Sequence, residues 1–305
     1  MKSQGKSFHG KIMLFGEYSI ICGSEALVIP FKKLSGSWIF SPEENIQSDH
    51  TQKSGSQLFD FLDYLNSKPE LSTILDLQSF EKELQNGLIF QSSIPQQYGV
   101  GSSGALVAAT YDRYKIHDEP DIFKLKQKLA LIESAFHGNS SGIDPLCCYL
   151  NEAIYMDQNG IPAPIKLSVD DSSSSNFYVF LIDTHISSST GNLVSHFKAM
   201  MHQYSFYKKL SQAYIPTLNL AIADFLNQRY DQLMHQLAEL SSLQTELFPK
   251  MIPKSYEFLF QQDSNKAFQI KICGSGGGGY LLGFTQFPEE TKSFLHKNNL
   301  DYLFL

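Results

Sequence analysis

Residues 95–105 read Pro-Gln-Gln-Tyr-Gly-Val-Gly-Ser-Ser-Gly-Ala, and they constrain this chain more than any other stretch. Gly99, Gly101 and Gly104 leave no side chain in the way of a close approach to the backbone. An apolar helical pattern, Ala105, Leu106, Ala108 and Ala109, begins directly afterwards. A glycine-rich turn feeding a helix aims N–H groups and the positive end of the helix dipole at one point. The spacing predicts an anion cradle, and a phosphate is the anion it suits. Ser102 and Ser103 add two hydroxyls at the same place.

Gly99-x-Gly101-x-x-Gly104 also matches the dinucleotide fingerprint, as does Gly274-x-Gly276-x-x-Gly279. Neither has the right surroundings. Pro95 and two glutamines stand where a strand should precede the first, and the second lies between two strands rather than opening a helix. No Gly-Lys-Ser/Thr follows either run, which excludes a Walker P-loop. Four consecutive glycines, Gly276 to Gly279, cost backbone entropy on folding. They are expected to pack closely on a ligand or on the first glycine loop.

A chain of 305 residues, 42% hydrophobic and 18% charged, can build one large domain or two medium ones around a packed core. Its net charge of −7 argues against broad binding to nucleic acid or an anionic membrane. Cys22, Cys147, Cys148 and Cys273 show no zinc spacing and read as free, mostly buried thiols in a reducing cytosol. The apolar run Ile12–Phe15 is too short for a signal-peptide core. No stretch approaches the ~20 apolar residues of a membrane span. A cytoplasmic protein is expected. A homodimer is compatible with these residues.

Periodicity predicts strands at Lys11–Phe15, Ala26–Phe31 and Ser37–Ser41, and helical spacing over Leu58–Leu65. Phe123–Phe136 reads as an amphipathic helix with Leu125, Leu129, Ile132 and Phe136 on its buried face. Asp144-Pro145 reads as the start of a further helix, with Asp144 as its N-cap. Residues 170–176 are the most loop-like segment. Helical patterns then dominate from Asn192 to Leu247, after a strand at Phe177–Ile182. The chain closes with strands at Ala267–Ile272 and Tyr280–Phe284 around the glycine run, then a helix near Glu289–His296. The mixture predicts an α+β protein of two domains, 1–175 and 176–305.

Phosphoryl transfer needs a divalent cation on hard oxygens, a positive group near the moving phosphate, and a group that orients the acceptor hydroxyl. Ser103, Glu133, Lys11 and Asp144 could supply all three. Each has an ordinary reading when taken alone. Glu133 suits the polar face of a helix, Lys11 the exposed start of a strand, Asp144 an N-cap, and Thr190 the cap of a following helix.

The blocks Lys11–Gly23, Pro95–Ala105 and Lys271–Gly279 resemble, in order and approximate spacing, the three motifs of the GHMP kinases, and the resemblance spans the chain. Within that family, His137-Gly-Asn-Ser-Ser-Gly-Ile-Asp144 resembles the His-Gly-Thr-Pro-Ser-Gly-Ile-Asp pattern of the mevalonate kinase branch. The step from Glu133 to Asp144 and the segment Ser189-Thr190-Gly-Asn-Leu-Val194 resemble that branch too. The resemblance implies a two-domain fold, with an N-terminal ATP-binding domain like ribosomal protein S5 and a C-terminal ferredoxin-like α/β domain. It implies ATP and Mg²⁺, with Ser103 and Glu133 on the metal and Gly99, Val100, Gly101, Ser102, Ser103 and Gly104 around the phosphates. Asp144 would act on the acceptor hydroxyl and Lys11 would stand beside it. Glu17, Tyr18, Thr190, Gly274, Ser275 and Gly276 would line the acceptor side. The implied reaction phosphorylates a primary alcohol, mevalonate first among acceptors, with phosphomevalonate or a sugar as the alternatives. A catalytically inactive nucleotide sensor is a further alternative.

Several positions depart from the family pattern. Tyr18 stands where animal-type mevalonate kinases have histidine, and Gly-Glu-Tyr is closer to bacterial phosphomevalonate kinases. Gly104 replaces alanine, Cys273 and Ser275 replace threonine and alanine, and Pro145 replaces asparagine. A phosphorylated acceptor would want more cations, and Lys32 and Lys33 are the candidates.

Overall fold

A computed structural model describes residues 5–40, 49–138, 140–167, 176–187, 190–261 and 267–305. About half the chain is helical and a little over a fifth is strand, 50% and 22%. The chain divides into two compact units that are not sequence halves. The first comprises residues 1–11, 29–95 and 101–154; the second comprises 12–28, 96–100 and 155–305.

The chain opens with strands β1 (Phe8–Phe15) and β2 (Ala26–Phe40). The two strands expected at 26–31 and 37–41 are one 15-residue strand, with Ser41 outside the described residues. Gly36 does not break it. The ring of Phe90 lies over this glycine, so close that a Cβ there would sit 2.4 Å from it. Phe90 belongs to β3 (Leu88–Ser92), antiparallel to β2 with Trp38 opposite Phe90. The strand order of this sheet is β1-β2-β4-β5, where β4 is Ala153–Met156 and β5 is Pro162–Ile165. Helices α1 (Asp49–Asn66) and α2 (Leu77–Gln85) pack together in the first unit, and Phe61 and Phe80 meet edge to face at 6.4 Å.

Three helices build the part of this unit that matters for function: α3 (Ser102–Tyr114), α4 (Ile122–His137) and α5 (Ile143–Leu150). Each packs on the other two. The buried residues of α3 include Gly104, Ala105, Ala108 and Ala109, and their small size lets α5 approach. A Cβ on Gly104 would lie 3.2 Å from the Asp144 backbone. On α4, Leu125, Leu129 and Ile132 are buried as expected. Phe136 is not: it is 38% exposed, and its ring covers Phe61 at 4.9 Å. The apolar stripe drifts off the core at the last turn, as a 3.6-residue period does when helix and core diverge.

The second unit holds the antiparallel sheet β7-β8-β6-β9, made of β6 (Tyr178–Asp183), β7 (Phe268–Ile272), β8 (Tyr280–Thr285) and β9 (Asp301–Phe304). Asp183 faces Tyr280, and Ile272 faces Leu281. Helices α6 (Thr190–Met200), α7 (Tyr204–Lys209), α8 (Ile215–Leu226), α9 (Tyr230–Leu247) and α10 (Pro288–Lys297) accompany it. A π-turn at Leu210–Tyr214 joins α7 to α8 and absorbs Pro216, which cannot donate into a regular helical ladder. A buried polar relay ties this region to the sheet. The Gln244 amide donates to the Tyr214 hydroxyl at 2.9 Å and accepts from the Ile272 N–H at 2.9 Å. The expected loop at 170–176 falls almost wholly outside the described residues. All four cysteines are free thiols; Cys147, Cys148 and Cys273 are buried and Cys22 is half-buried.

Candidate active site

The first unit brings Lys11, Ser103, Glu133 and Asp144 together from four elements. Lys11 ends the part of β1 in this unit and is 3% exposed. Its Nζ pairs with Asp144 Oδ2 at 2.7 Å. An ammonium this dry needs a fixed anion, because burying an unpaired charge costs far more than burying a pair. Gly101 makes room for the lysine. A Cβ at Gly101 would meet Lys11 Cγ at 2.7 Å and its backbone nitrogen at 3.1 Å, and the residue's φ of +86° is one that side chains resist.

Asp144 is not the N-cap that the sequence suggested. Helix α5 begins at Ile143 and its N-cap is Gly142, with φ of +74° and no side-chain cap bond. Gly142 takes this place because a Cβ there would fall 2.3 Å from the Lys126 carbonyl of α4. Asp144 therefore lies inside the first turn. Its Oδ2 is spent on Lys11, while Oδ1 is buried with no hydrogen-bond partner among the described residues.

Glu133 projects from α4 and is 4% exposed. Burial, and then the charge of Asp144, push its carboxyl up to about 7, against the opposing pull of Ser140, Lys11 and Ser103. Its Oε1 lies 3.4 Å from Ser103 Oγ, and its Oε2 accepts from the Ser140 hydroxyl. Ser103 stands in the first turn of α3, whose N-cap Gly101 supplies no side-chain cap, so the dipole end of that helix faces the same place. Ser140 went unassigned in the sequence. The signal was there: it occupies the proline position of the mevalonate kinase pattern.

These donors fit a hard divalent cation. Ser103 and Glu133 offer oxygens at a spacing near the ~3 Å between neighbouring ligands of octahedral Mg²⁺. Among the described residues no group of three or more His, Cys, Asp or Glu could hold a metal by itself. A cation here would therefore take most of its ligands from phosphate and water, which is the habit of Mg²⁺.

Of the other expected residues, Ser102 and Gly104 lie in α3 of the first unit, as Lys32 and Lys33 lie in its part of β2, whereas Gly99, Val100, Glu17, Tyr18, Thr190, Gly274, Ser275 and Gly276 lie in the second unit. Gly99 packs with the third motif, and the contact is backbone on backbone; Val100 is fully buried. A Cβ at Gly99 would lie 2.9 Å from the Cys273 carbonyl, and one at Gly274 would lie 2.8 Å from Gly99 Cα. The two glycine segments thus interlock through Gly99 and Gly274, and of the four-glycine run Gly279 meets the first segment, where a Cβ would lie 2.6 Å from Tyr98 Cα. Gly277 and Gly279 donate their N–H groups to Met251 and Ile186 carbonyls, both at 2.6 Å, and Gly276 fits tightly beside Met251.

Tyr18 is held in the left-handed region, φ 61°, and is buried between Phe197 and Phe248. Its hydroxyl donates to the Ser275 carbonyl at 2.6 Å, and burial raises its pKa well above the usual phenol value. Glu17 is turned into the interior, where its carboxylate pairs with fully buried Lys271 of β7. Thr190 begins α6, and its side chain lies outside the described residues, as does Ser189. Lys32 and Lys33 are exposed on β2.

No protein-family model matches the chain. Over 292 residues it is 21% identical to a mevalonate kinase of Archaeoglobus fulgidus, covering 94% of each chain. Its structure is similar to L. major mevalonate kinase solved with R-mevalonate, with a TM-score of 0.63 and 19% identity over 97% of this chain and 92% of that one. It is also similar to Streptococcus pneumoniae phosphomevalonate kinase solved with phosphomevalonate and AMPPNP, with a TM-score of 0.65 and 12% identity over 99% of this chain and 100% of that one. From end to end, then, the chain carries the GHMP kinase fold and is similar to mevalonate kinase in sequence and in structure.

Proposed function

We propose that this protein is an ATP-dependent kinase that transfers the γ-phosphoryl group to the primary hydroxyl of mevalonate, giving 5-phosphomevalonate and ADP. The observation that carries the reading is the arrangement around Asp144: one carboxylate oxygen on buried Lys11, the other buried and without a partner. Oδ1 is the atom that would accept the acceptor's hydrogen bond and then its proton, as the hydroxyl oxygen bonds to the γ-phosphorus and the bond to the β-phosphate oxygen breaks. Lys11 holds the Asp144 carboxylate in place for that task through their ion pair and places positive charge near the moving phosphoryl group. Ser103 and Glu133 would hold the Mg²⁺ of Mg·ATP, which neutralises phosphate charge and fixes the phosphates in place. The Gly99–Gly104 backbone and the α3 dipole would receive the phosphates. This division of labour is mostly positioning and electrostatics, as phosphoryl transfer requires.

The retention of all four groups argues against an inactive nucleotide sensor. A second acceptor, phosphomevalonate, is favoured by Tyr18, which gives the chain Gly-Glu-Tyr in place of Gly-Glu-His. The deciding experiment offers a panel of alcohols with Mg·ATP and follows ADP release. Turnover of mevalonate supports the reading. Turnover of phosphomevalonate or a sugar alone keeps the kinase and replaces its acceptor, and nucleotide binding with no turnover of any alcohol removes it.

A further inference from the structure

We infer that Ser140 is a positioning residue for the cation site, locking the Glu133 carboxylate in the orientation that presents Oε1 toward Ser103. The inference rests on the reading of Glu133 as a residue of the Mg·ATP site.

The Ser140 hydroxyl makes two bonds of opposite sense. It donates to Glu133 Oε2 and accepts from the Gly142 N–H at 2.9 Å. A hydroxyl has one proton, and the Gly142 N–H can only donate, so the hydroxyl proton is free to go to the carboxylate. The backbone amide thereby fixes the direction of the Ser140–Glu133 bond. With Oε2 held, the carboxylate cannot rotate about its last bond, and Oε1 stays 3.4 Å from Ser103 Oγ.

Gly142 is the N-cap of α5, the helix that carries Asp144 in its first turn. One hydroxyl therefore ties the carboxylate of α4 to the start of the helix bearing the candidate base. The register of Glu133 and Asp144 is held by this link as well as by the packing of α4 on α5. In the His-Gly-Thr-Pro-Ser-Gly-Ile-Asp pattern the same position is proline, which has no hydroxyl and cannot make either bond. The device is thus a property of this chain rather than of the pattern it resembles. A partner that orients a ligand carboxylate without touching the cation is a recurrent second support of metal sites, and its removal costs about 10–100-fold in metal affinity.

The test is calorimetric titration of AMPPNP into wild type, S140A, S140T and E133Q, each in excess Mg²⁺ and again in EDTA. S140A should weaken binding about ten-fold in Mg²⁺ and leave binding in EDTA unchanged. S140T, which keeps the hydroxyl, should restore the Mg²⁺ value. An S140A protein that matches wild type in Mg²⁺ while E133Q is weakened overturns the inference and leaves the site standing. Equal weakening of S140A in Mg²⁺ and in EDTA overturns it too, because a general structural loss has no preference for the cation. An E133Q protein with an unaltered Mg²⁺ dependence overturns the reading on which the inference rests.

Discussion

Replacing Glu133 with glutamine should make the metal-free protein more stable at alkaline pH while weakening its metal-dependent binding. The carboxyl is 4% exposed, and its pKa rises from an ordinary 4.5 to about 7. Below pH 4.5 both folded and unfolded chains hold the proton. Between 4.5 and 7 the unfolded chain releases it and the folded chain keeps it, so stability falls as pH rises. Above 7 both are ionised and the loss is complete. At ~1.4 kcal/mol per pH unit, the span from 4.5 to about 7 corresponds to a loss of about 3 kcal/mol from this one group. Glutamine fills the same space, lets Ser140 donate to its amide oxygen, and has no proton to lose. In EDTA, urea unfolding of wild type and E133Q from pH 5 to pH 8 should show a stability difference that moves in favour of E133Q by about 2–3 kcal/mol. Mg·ATP should then reverse the order. A ligand at a hundred times its Kd adds about 2.7 kcal/mol to the protein that binds it, and E133Q should lose most of that. A stability difference that does not vary with pH would refute the argument, since it would mean that the folded environment does not hold the proton on Glu133.

Asp144→Asn should lower kcat by several orders of magnitude with ATP affinity little changed, measured by steady-state kinetics and nucleotide titration. Near-normal turnover would reduce Asp144 to the partner of Lys11. Lys271→Met should destabilise the protein by about 3–5 kcal/mol in chemical unfolding, because it removes the buried ammonium that pairs with the buried Glu17 carboxylate. Gly274→Ala should cost stability and nucleotide turnover together, since its Cβ would lie 2.8 Å from Gly99 Cα at a φ of +60°. An alanine variant with wild-type melting and kinetics would show that the two glycine segments have room to part.

Local periodicity carried the long elements well. The strand expected at Lys11–Phe15 is the second part of Phe8–Phe15, the helix expected at Phe123–Phe136 is Ile122–His137 to within a residue at each end, and the strand pair around the last glycine run lies where its pattern places it. It failed where a neighbour supplied the reason. Two strands are expected at 26–31 and 37–41, yet a ring from β3 fills the space above Gly36 between them and β2 runs through. The short strands β3, β4, β5 and β9 have too few residues for a period to register, and their partners are remote in sequence. Asp144 reads as an N-cap from its own neighbours. Only the Lys126 carbonyl of α4, pressed against Gly142, makes the glycine the cap and moves Asp144 inside the turn, where it meets Lys11.

The residue types that can hold a cation, a phosphate and a hydroxyl were determined by the sequence, along with the glycine spacings that leave their backbones open. Which oxygens remain unspent was a matter of tertiary structure alone. Lys11 takes one oxygen of Asp144 and leaves the other bare. Ser140 takes one oxygen of Glu133 and leaves the other toward Ser103. The two glycine loops close on each other through backbone atoms whose contacts no local pattern encodes. Composition and spacing bring candidate groups into a chain, but hydrogen-bond valence is shared out among neighbours in space, and that sharing exists only once the helices and strands have packed.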